Sequence, residues 1–167
     1  MTADELRALQ APVKARYKDD PAAAMLVLKA SGKLQGENLI CRVLTDLGPI
    51  DAGLHPATGG DGLSACSGDM LLQSLVACAG VTLQAVACAM SIPLRGGTVS
   101  AEGDLDFRGT LGVSKEVPIG FKAIRLTFDL DTDATAEQLA TLMKLTERYC
   151  VIYQTLKTPP AITAALA

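Results

Sequence analysis

The longest apolar stretch of the chain covers residues 70–94 and contains no charged side chain. Asp69 places negative charge at its start and Pro93 marks its end, so the stretch predicts one long helix. Its length reaches the range of a membrane-spanning helix. Because Gln, Ser and Thr interrupt it and Ala and Gly are frequent, we interpret it instead as the central buried helix of a soluble protein, apolar on nearly every side.

Strand-like segments lie on both sides of this helix. Branched residues between polar, Gly-containing turns predict strands over residues 25–30 and 38–44. After the helix, apolar and polar residues alternate over residues 98–107 and 121–130. This alternation predicts two strands with one buried face, joined by a long hairpin connection. Residues 161–167 predict a final strand.

The N-terminal segment has a helical pattern. Thr2 and Glu5 have the spacing of a capping box, and the helix is expected to cover residues 2–20. Pro12 lacks a backbone donor, so we expect it to divide this helix into two pieces.

A pair of helices is predicted near the C-terminus. Asp133 or Thr135 is expected to cap a helix whose apolar positions recur up to Tyr149, and residues 151–157 predict a short second helix. Strands and helices therefore come in runs rather than in alternation. This order predicts an α+β fold, with antiparallel sheets around the long central helix.

Composition limits the classes of protein that fit. At 167 residues the chain has the size of one domain, and we expect a helical extension over residues 1–24 followed by a domain over residues 25–167. The net charge of −3 and the scattered Lys and Arg residues argue against nucleic acid as the main partner. The first residues contain no apolar signal segment. We therefore expect a cytoplasmic protein whose cysteines stay reduced.

The cysteines carry the candidate chemistry, at positions 41, 66, 78, 88 and 150. Their number is odd, they form no CxxC pair, and the chain has a single histidine. This pattern argues against both a disulfide framework and a zinc site, so we expect neither a metal nor a cofactor.

Helical geometry limits which cysteines can pair. Cys78 and Cys88 lie about 15 Å apart along one predicted helix, too far for a disulfide, so a partner of Cys78 must come from another element. Cys150 lies where two predicted helices meet, and the free amides that start the second helix would favour a thiolate there. Cys66, just before the long helix, is a third candidate thiol. We interpret Cys41 and Cys88 as packing residues.

A catalytic thiol in a buried helix needs positive charge or hydrogen-bond donors, because burial alone raises its pKa. Arg108, Arg42 and Lys122 are candidate sources of that charge. The sequence alone does not choose among them.

Three segments resemble the OsmC/Ohr family of proteins. Residues 68–83, GDMLLQSLVACAGVTL, resemble the cysteine helix of the family, which an acidic residue opens. Residues 104–109 look like its strand-to-hairpin segment, and residues 147–156 are similar to its second cysteine motif. The chain has Asp69 where the family commonly has Glu, and Val151 where a proline commonly follows the second cysteine.

The resemblance implies an intertwined homodimer with the long helix at its interface. It also implies a thiol peroxidase that reduces organic hydroperoxides or hydrogen peroxide. By position, Cys78 is the attacking cysteine and Cys150 the resolving one, with a dithiol such as a lipoyl group as reductant. Asp69, which opens the cysteine helix, and Arg108, in the hairpin segment, are the further candidate catalytic residues.

An alternative function on the same fold is a dimeric binding protein. In that case a small apolar ligand would occupy the interface cleft, and the thiols would be incidental. Rapid loss of two thiols per subunit on addition of peroxide would favour the enzyme, whereas slow and indiscriminate oxidation would favour the binding protein.

Overall fold

Helices and strands follow one another in runs along the chain. The computed structural model describes residues 1–36 and 38–166. Within these ranges the helices are α1 (Ala3–Asp19), α2 (Ser67–Ala89), α3 (Phe107–Thr110), α4 (Ala136–Tyr149) and α5 (Val151–Lys157). The strands are β1 (Ser31–Gln35), β2 (Ile40–Leu44), β3 (Ile50–Ala52), β4 (Gly96–Asp104) and β5 (Ala123–Asp131). The predicted α+β class is confirmed.

The first three strands form an antiparallel sheet in the order β1–β2–β3. Gln35 lies opposite Ile40 at the turn between β1 and β2. The strand predicted over residues 38–44 is therefore confirmed, beginning at Ile40. Arg42 of β2 and Asp51 of β3 form an ion pair with an N–O distance of 2.7 Å, which adds a side-chain contact to the backbone ladder.

Two of the predicted strands are not formed by the described residues. Within the described residues, 25–30 pair with no strand, and the side chains from Met25 to Leu28 are between 79% and 84% exposed. The pairing of β1 with β2 begins only at Ser31, which lies opposite Leu44, because β2 has five residues and ends at Leu44. Residues 161–166 also form no strand, and Ala167 lies outside the described residues. Both segments have the composition of a strand, but among the described residues neither is paired with a neighbouring strand.

Strands β4 and β5 form a second, two-stranded sheet. The N–H of Arg95 donates to the carbonyl of Asp131, and the N–H of Lys122 donates to the carbonyl of Asp104. These pairings show that the strands are antiparallel. Both strands predicted after the long helix are confirmed, with ends shifted by a few residues.

The connection between β4 and β5 contains the short helix α3, which the sequence pattern did not reveal. Asp106 caps α3 by accepting a hydrogen bond from the N–H of Arg108 at 3.1 Å. Gly109 is buried, and a Cβ there would lie 2.8 Å from the carbonyl oxygen of Pro118. The close approach of these two backbone segments therefore requires glycine at this position.

Helix α1 is continuous from Ala3 to Asp19, so the predicted break at Pro12 is wrong. The predicted capping box is confirmed, with reciprocal hydrogen bonds between Thr2 and Glu5. Proline removes one N–H and leaves a carbonyl four residues earlier without its partner. Because no residue in Ala3–Asp19 is buried, water can bind that carbonyl and the helix tolerates the proline.

Helix α2 buries one face within the subunit. Its buried residues Leu75, Ala79, Leu83 and Ala87 recur every four positions, as one face of a helix requires. Val81 is 69% exposed. By length and composition α2 could cross a membrane, a test that the core helix of a soluble protein also passes. The sequence predicted that α2 is buried on nearly every side, whereas within one subunit only one of its faces is buried.

The chain divides into two compact units, each continuous in space but not in sequence. One unit comprises Met1–Ala22, Ser74–Ser100 and the chain from Leu126 onward, and the other comprises Ala23–Gln73 and Ala101–Arg125. The core of the first unit contains Leu83 and Ala87 of α2, Ile92, and Leu142 of α4. This core packs the end of α2 against α4 and β5.

Helices α4 and α5 have the predicted bounds. Thr135 caps α4 through a capping box with Gln138, which identifies the cap among the two candidates. The helix ends at Tyr149, and α5 begins at Val151. A single residue, Cys150, therefore separates the two helices.

Candidate thiol site

Cys78 and Cys150 lie in direct contact within the first unit. Cys78 is partly buried in the middle of α2, next to Ala79 of the buried face. Cys150, between α4 and α5, is 1% exposed. The thiol of Cys150 donates a hydrogen bond to Sγ of Cys78, and both residues are free thiols. The structure thus brings together the two cysteines that the family resemblance paired.

Four hydrogen-bond donors face Sγ of Cys78. They are the backbone N–H groups of Ile152 and Val151, the thiol of Cys150 and the hydroxyl of Thr82. Burial raises the pKa of the Cys78 thiol, but together these donors outweigh burial, so its pKa lies below the ordinary value of a cysteine. Hydrogen bonds therefore stabilise a thiolate at Cys78.

The second thiol has the opposite setting. Burial raises the pKa of Cys150, and the hydrogen bond to Cys78 and the charge of Cys78 raise it further, against a smaller effect of backbone donors. One of these donors is the N–H of Tyr153, at 3.5 Å from Sγ of Cys150. The first amides of α5 therefore favour a thiolate at Cys150, as expected from the sequence, but burial and the neighbouring Cys78 outweigh them. The N–H groups of Val151 and Ile152 also donate to Cys78.

This difference in pKa determines what the pair can do chemically. The thiolate, not the thiol, is the nucleophile, so Cys78 is the more reactive of the two. Cys150 keeps its proton and donates it in a hydrogen bond to the ionised sulfur. If Cys78 is oxidised to a sulfenic acid, a neighbouring thiol can condense with it to form a disulfide.

The other cysteines have surroundings of their own. Cys88 lies in the last turn of α2, and its Sγ donates to the carbonyl of Met1 at 3.5 Å. Because α2 is unbroken between them, Cys78 and Cys88 cannot form a disulfide within one subunit. In the second unit, Sγ of Cys41 lies against Gly32, and Cys66 is partly buried just before α2.

The basic residues that the sequence offered as charge sources are all paired with carboxylates. Arg108 and Lys122 both bind Asp106, with N–O distances of 2.7 and 3.0 Å, and these hydrogen bonds hold the pKa of Asp106 well below its usual range. Arg42 binds Asp51.

The four candidate catalytic residues fall into two groups. Cys78 and Cys150 belong to the first unit, and Asp69, in the first turn of α2, and Arg108, in α3, belong to the second. Within the described residues, no group of three or more His, Cys, Asp or Glu side chains is placed to hold a metal ion.

Two features of the site were missed by the sequence analysis. Thr82 lies four residues after Cys78, the spacing at which side chains meet on one helix face, so its contact could have been predicted. The second feature is that the amides of Val151 and Ile152, expected to face Cys150, also donate to Cys78. Only the packing of α4 against α2 determines which sulfur they face.

Comparisons with known proteins identify the family. The fold and the thiol pair define a class of α+β protein in which a central helix carries a cysteine. Residues 59–165 match the family model described as OsmC-like protein, which is more than half of the chain. The chain belongs to the OsmC-like protein family, as the sequence resemblance indicated. Among curated proteins no sequence matches it significantly.

Solved structures share the fold. An OsmC-like protein from Mycoplasma pneumoniae has a TM-score of 0.65 at 16% identity, covering 80% of this chain and 91% of its own. Organic hydroperoxide resistance proteins from Legionella pneumophila and Elizabethkingia anophelis both have a TM-score of 0.62. The first is 18% identical, covering 80% of this chain and 93% of its own. The second is 16% identical, covering 81% and 91%. The likeness confirms the predicted fold.

Proposed function

We propose that this protein is a thiol-dependent peroxidase that reduces organic hydroperoxides or hydrogen peroxide through Cys78 and Cys150. The thiolate of Cys78 attacks the terminal oxygen of the peroxide and the O–O bond breaks. An alcohol or water leaves with a proton, and Cys78 becomes a sulfenic acid. The sulfur of Cys150 then gives up its proton and attacks Sγ of Cys78, the S–O bond breaks, and water leaves as the disulfide forms.

One observation carries the proposal: a cysteine with a lowered pKa lies in contact with a cysteine whose pKa is raised. The first has the property of an attacking thiol, and the second is in reach of the oxidised sulfur. The names of two similar structures, organic hydroperoxide resistance proteins, point to the same substrate class.

An external dithiol completes the cycle. By thiol–disulfide exchange it reduces the bond between Cys78 and Cys150 and is itself oxidised to a disulfide. A lipoyl group is the dithiol that the family resemblance suggests. The need for a reductant fits a cytoplasmic protein, because thiol reductants are maintained there.

Asp69 and Arg108 are the further catalytic residues that the family resemblance suggests. Two nitrogens of the Arg108 guanidinium, Nε and Nη2, bind Asp106, which leaves Arg108 with further N–H donors. Asp69 places negative charge in the first turn of α2 and so stabilises the helix that carries Cys78.

The proposed function is tested by mapping disulfides after one equivalent of cumene hydroperoxide. We expect rapid loss of two thiols per subunit and a single new disulfide, between Cys78 and Cys150, in the mass spectrum of the digested protein. Cys41, Cys66 and Cys88 should remain alkylatable and serve as internal controls. Slow oxidation spread over all five cysteines would contradict the proposal and favour a binding protein with an apolar ligand.

We also propose that the partner is a second copy of this chain. In one subunit the apolar segment from Met25 to Leu28 is exposed, and so is Val81 on α2. Burial of one large apolar side chain contributes about 1.5–3 kcal/mol, and contiguous exposed apolar surface marks interfaces. Small residues along the exposed face of α2 would allow another backbone to approach closely.

The dimer is tested by sedimentation equilibrium at micromolar concentration. We expect twice the subunit mass of 17.3 kDa, and a lower dimer population for Val81→Lys, because the new charge would have to be buried in the interface. Leu47→Lys, at a fully exposed turn position, is the matched control and should stay dimeric. A well-folded monomer of the natural protein would contradict the proposal.

A further inference from the structure

Two hydrogen bonds join the first turn of α5 to the last turn of α4. The hydroxyl of Tyr153 donates to Oε2 of Glu147 at 3.2 Å. Nε2 of Gln154 donates to the backbone carbonyl of Glu147 at 2.7 Å. Both bonds converge on one residue, and neither involves an atom of the thiol pair.

The turn between the two helices depends on a single residue. The N–H of Cys150 donates to the carbonyl of Thr146 as the last bond of α4, and the carbonyl of Cys150 accepts from Gln154 as the first bond of α5. The residue has φ −73° and ψ 109°, an extended conformation. Its two dihedral angles therefore set the direction of α5 relative to α4, and with it the direction of the first N–H groups of α5.

We propose that Tyr153 and Gln154 are positioning residues, which fix α5 at the angle that directs its first two N–H groups toward Cys78. A hydrogen bond weakens steeply as its angle at hydrogen falls toward about 120°. A small rotation of α5 would therefore weaken the donors from Val151 and Ile152 together. Burial of the sulfur, which opposes its ionisation, would then prevail.

The inference deepens the proposed function, since it concerns the thiol that the proposed reaction uses, but it can be tested without peroxide. The double variant Tyr153→Phe/Gln154→Met removes both hydrogen bonds and keeps the aromatic ring, the chain length at residue 154 and the charge of Glu147. Alkylation of Cys78 by iodoacetamide is followed across pH by peptide mass. The rate reports the fraction of thiolate.

We expect the alkylation profile of Cys78 in the double variant to move to higher pH. A shift of half a pH unit would make alkylation about threefold slower below the midpoint, with the same plateau at high pH. A residue that only stabilised the fold would not move this midpoint. Tyr149→Phe, which removes a hydroxyl from an exposed tyrosine beside the same junction, is the control and should leave the profile unchanged.

A folded double variant whose Cys78 profile superimposes on that of the natural protein would overturn the inference. If the double variant does not fold, Gln154→Met alone, at an exposed position, should give a smaller shift in the same direction, and an unchanged profile there would also overturn it. Peroxide turnover is measured in parallel. Failure of the natural protein to turn over peroxide, with the shift still present, would refute the peroxidase function and leave the positioning role standing.

Discussion

Replacing Cys78 with serine is expected to reduce peroxide turnover to background and to prevent any disulfide at Cys150. A serine hydroxyl stays protonated in the same surroundings, so position 78 no longer provides a nucleophile to attack the peroxide. The measurement is consumption of cumene hydroperoxide with a dithiol reductant in excess. In the natural protein, turnover should fall as the pH is lowered through the pKa of Cys78, and because that pKa is lowered, activity should persist below the range of an ordinary thiol.

The matched controls are Cys88→Ser and Cys41→Ser, which make the same chemical change outside the pair. Both variants should keep their turnover, although each can lose stability where the new hydroxyl finds no hydrogen-bond partner. Turnover that survives in Cys78→Ser would refute the assignment of the attacking thiol. Cys66, just before α2, would then be the next residue to replace.

Replacing Cys150 with serine is expected to stop the reaction one step later. Cys78 should still be oxidised, because its amide donors and Thr82 remain. The sulfenic acid then has no thiol to condense with, so dimedone should trap it on Cys78 and excess peroxide should convert it to sulfinic acid. Without an added small thiol, turnover should end after about one event per subunit.

Mass spectrometry distinguishes this outcome from a general loss of function. The natural protein treated in the same way should show little dimedone adduct, because Cys150 consumes the sulfenic acid first. Addition of a small thiol should restore part of the turnover of Cys150→Ser but none of that of Cys78→Ser. The absence of an adduct on Cys78 in folded Cys150→Ser would show that the proposed order of steps is wrong.

Much of the fold could be predicted from local patterns. Helices α2, α4 and α5 and strands β2, β4 and β5 have clear periodicity or caps, and these signals depend on neighbouring residues alone. The errors concern longer-range requirements. Residues 25–30 have the composition of a strand, but a strand also needs a partner of matching length. Helix α1 continues through Pro12 because the helix is exposed to water, and this exposure cannot be predicted from the sequence pattern.

The candidate site could also be predicted only in part. The sequence resemblance paired Cys78 with Cys150, and the contact between them is present in the structure. The amides of α5 lower the pKa of Cys150 as predicted, but its net pKa is raised, because a pKa depends on all the groups that face a sulfur and on how deeply it is buried. Both properties arise from the packing of α4 against α2, which no local pattern contains.

In the proposed peroxidase cycle, the near-complete burial of Cys150 has a kinetic consequence for the return to the reduced state. Once the disulfide forms, an incoming dithiol can reach only the sulfur of Cys78, since Cys150 is 1% exposed. Attack there expels Cys150 as the leaving group, and a thiolate with a raised pKa leaves slowly. The arrangement that favours fast oxidation thus makes re-reduction the slow half of the cycle. At saturating peroxide, the rate of turnover should therefore follow the concentration of the reductant rather than that of the peroxide.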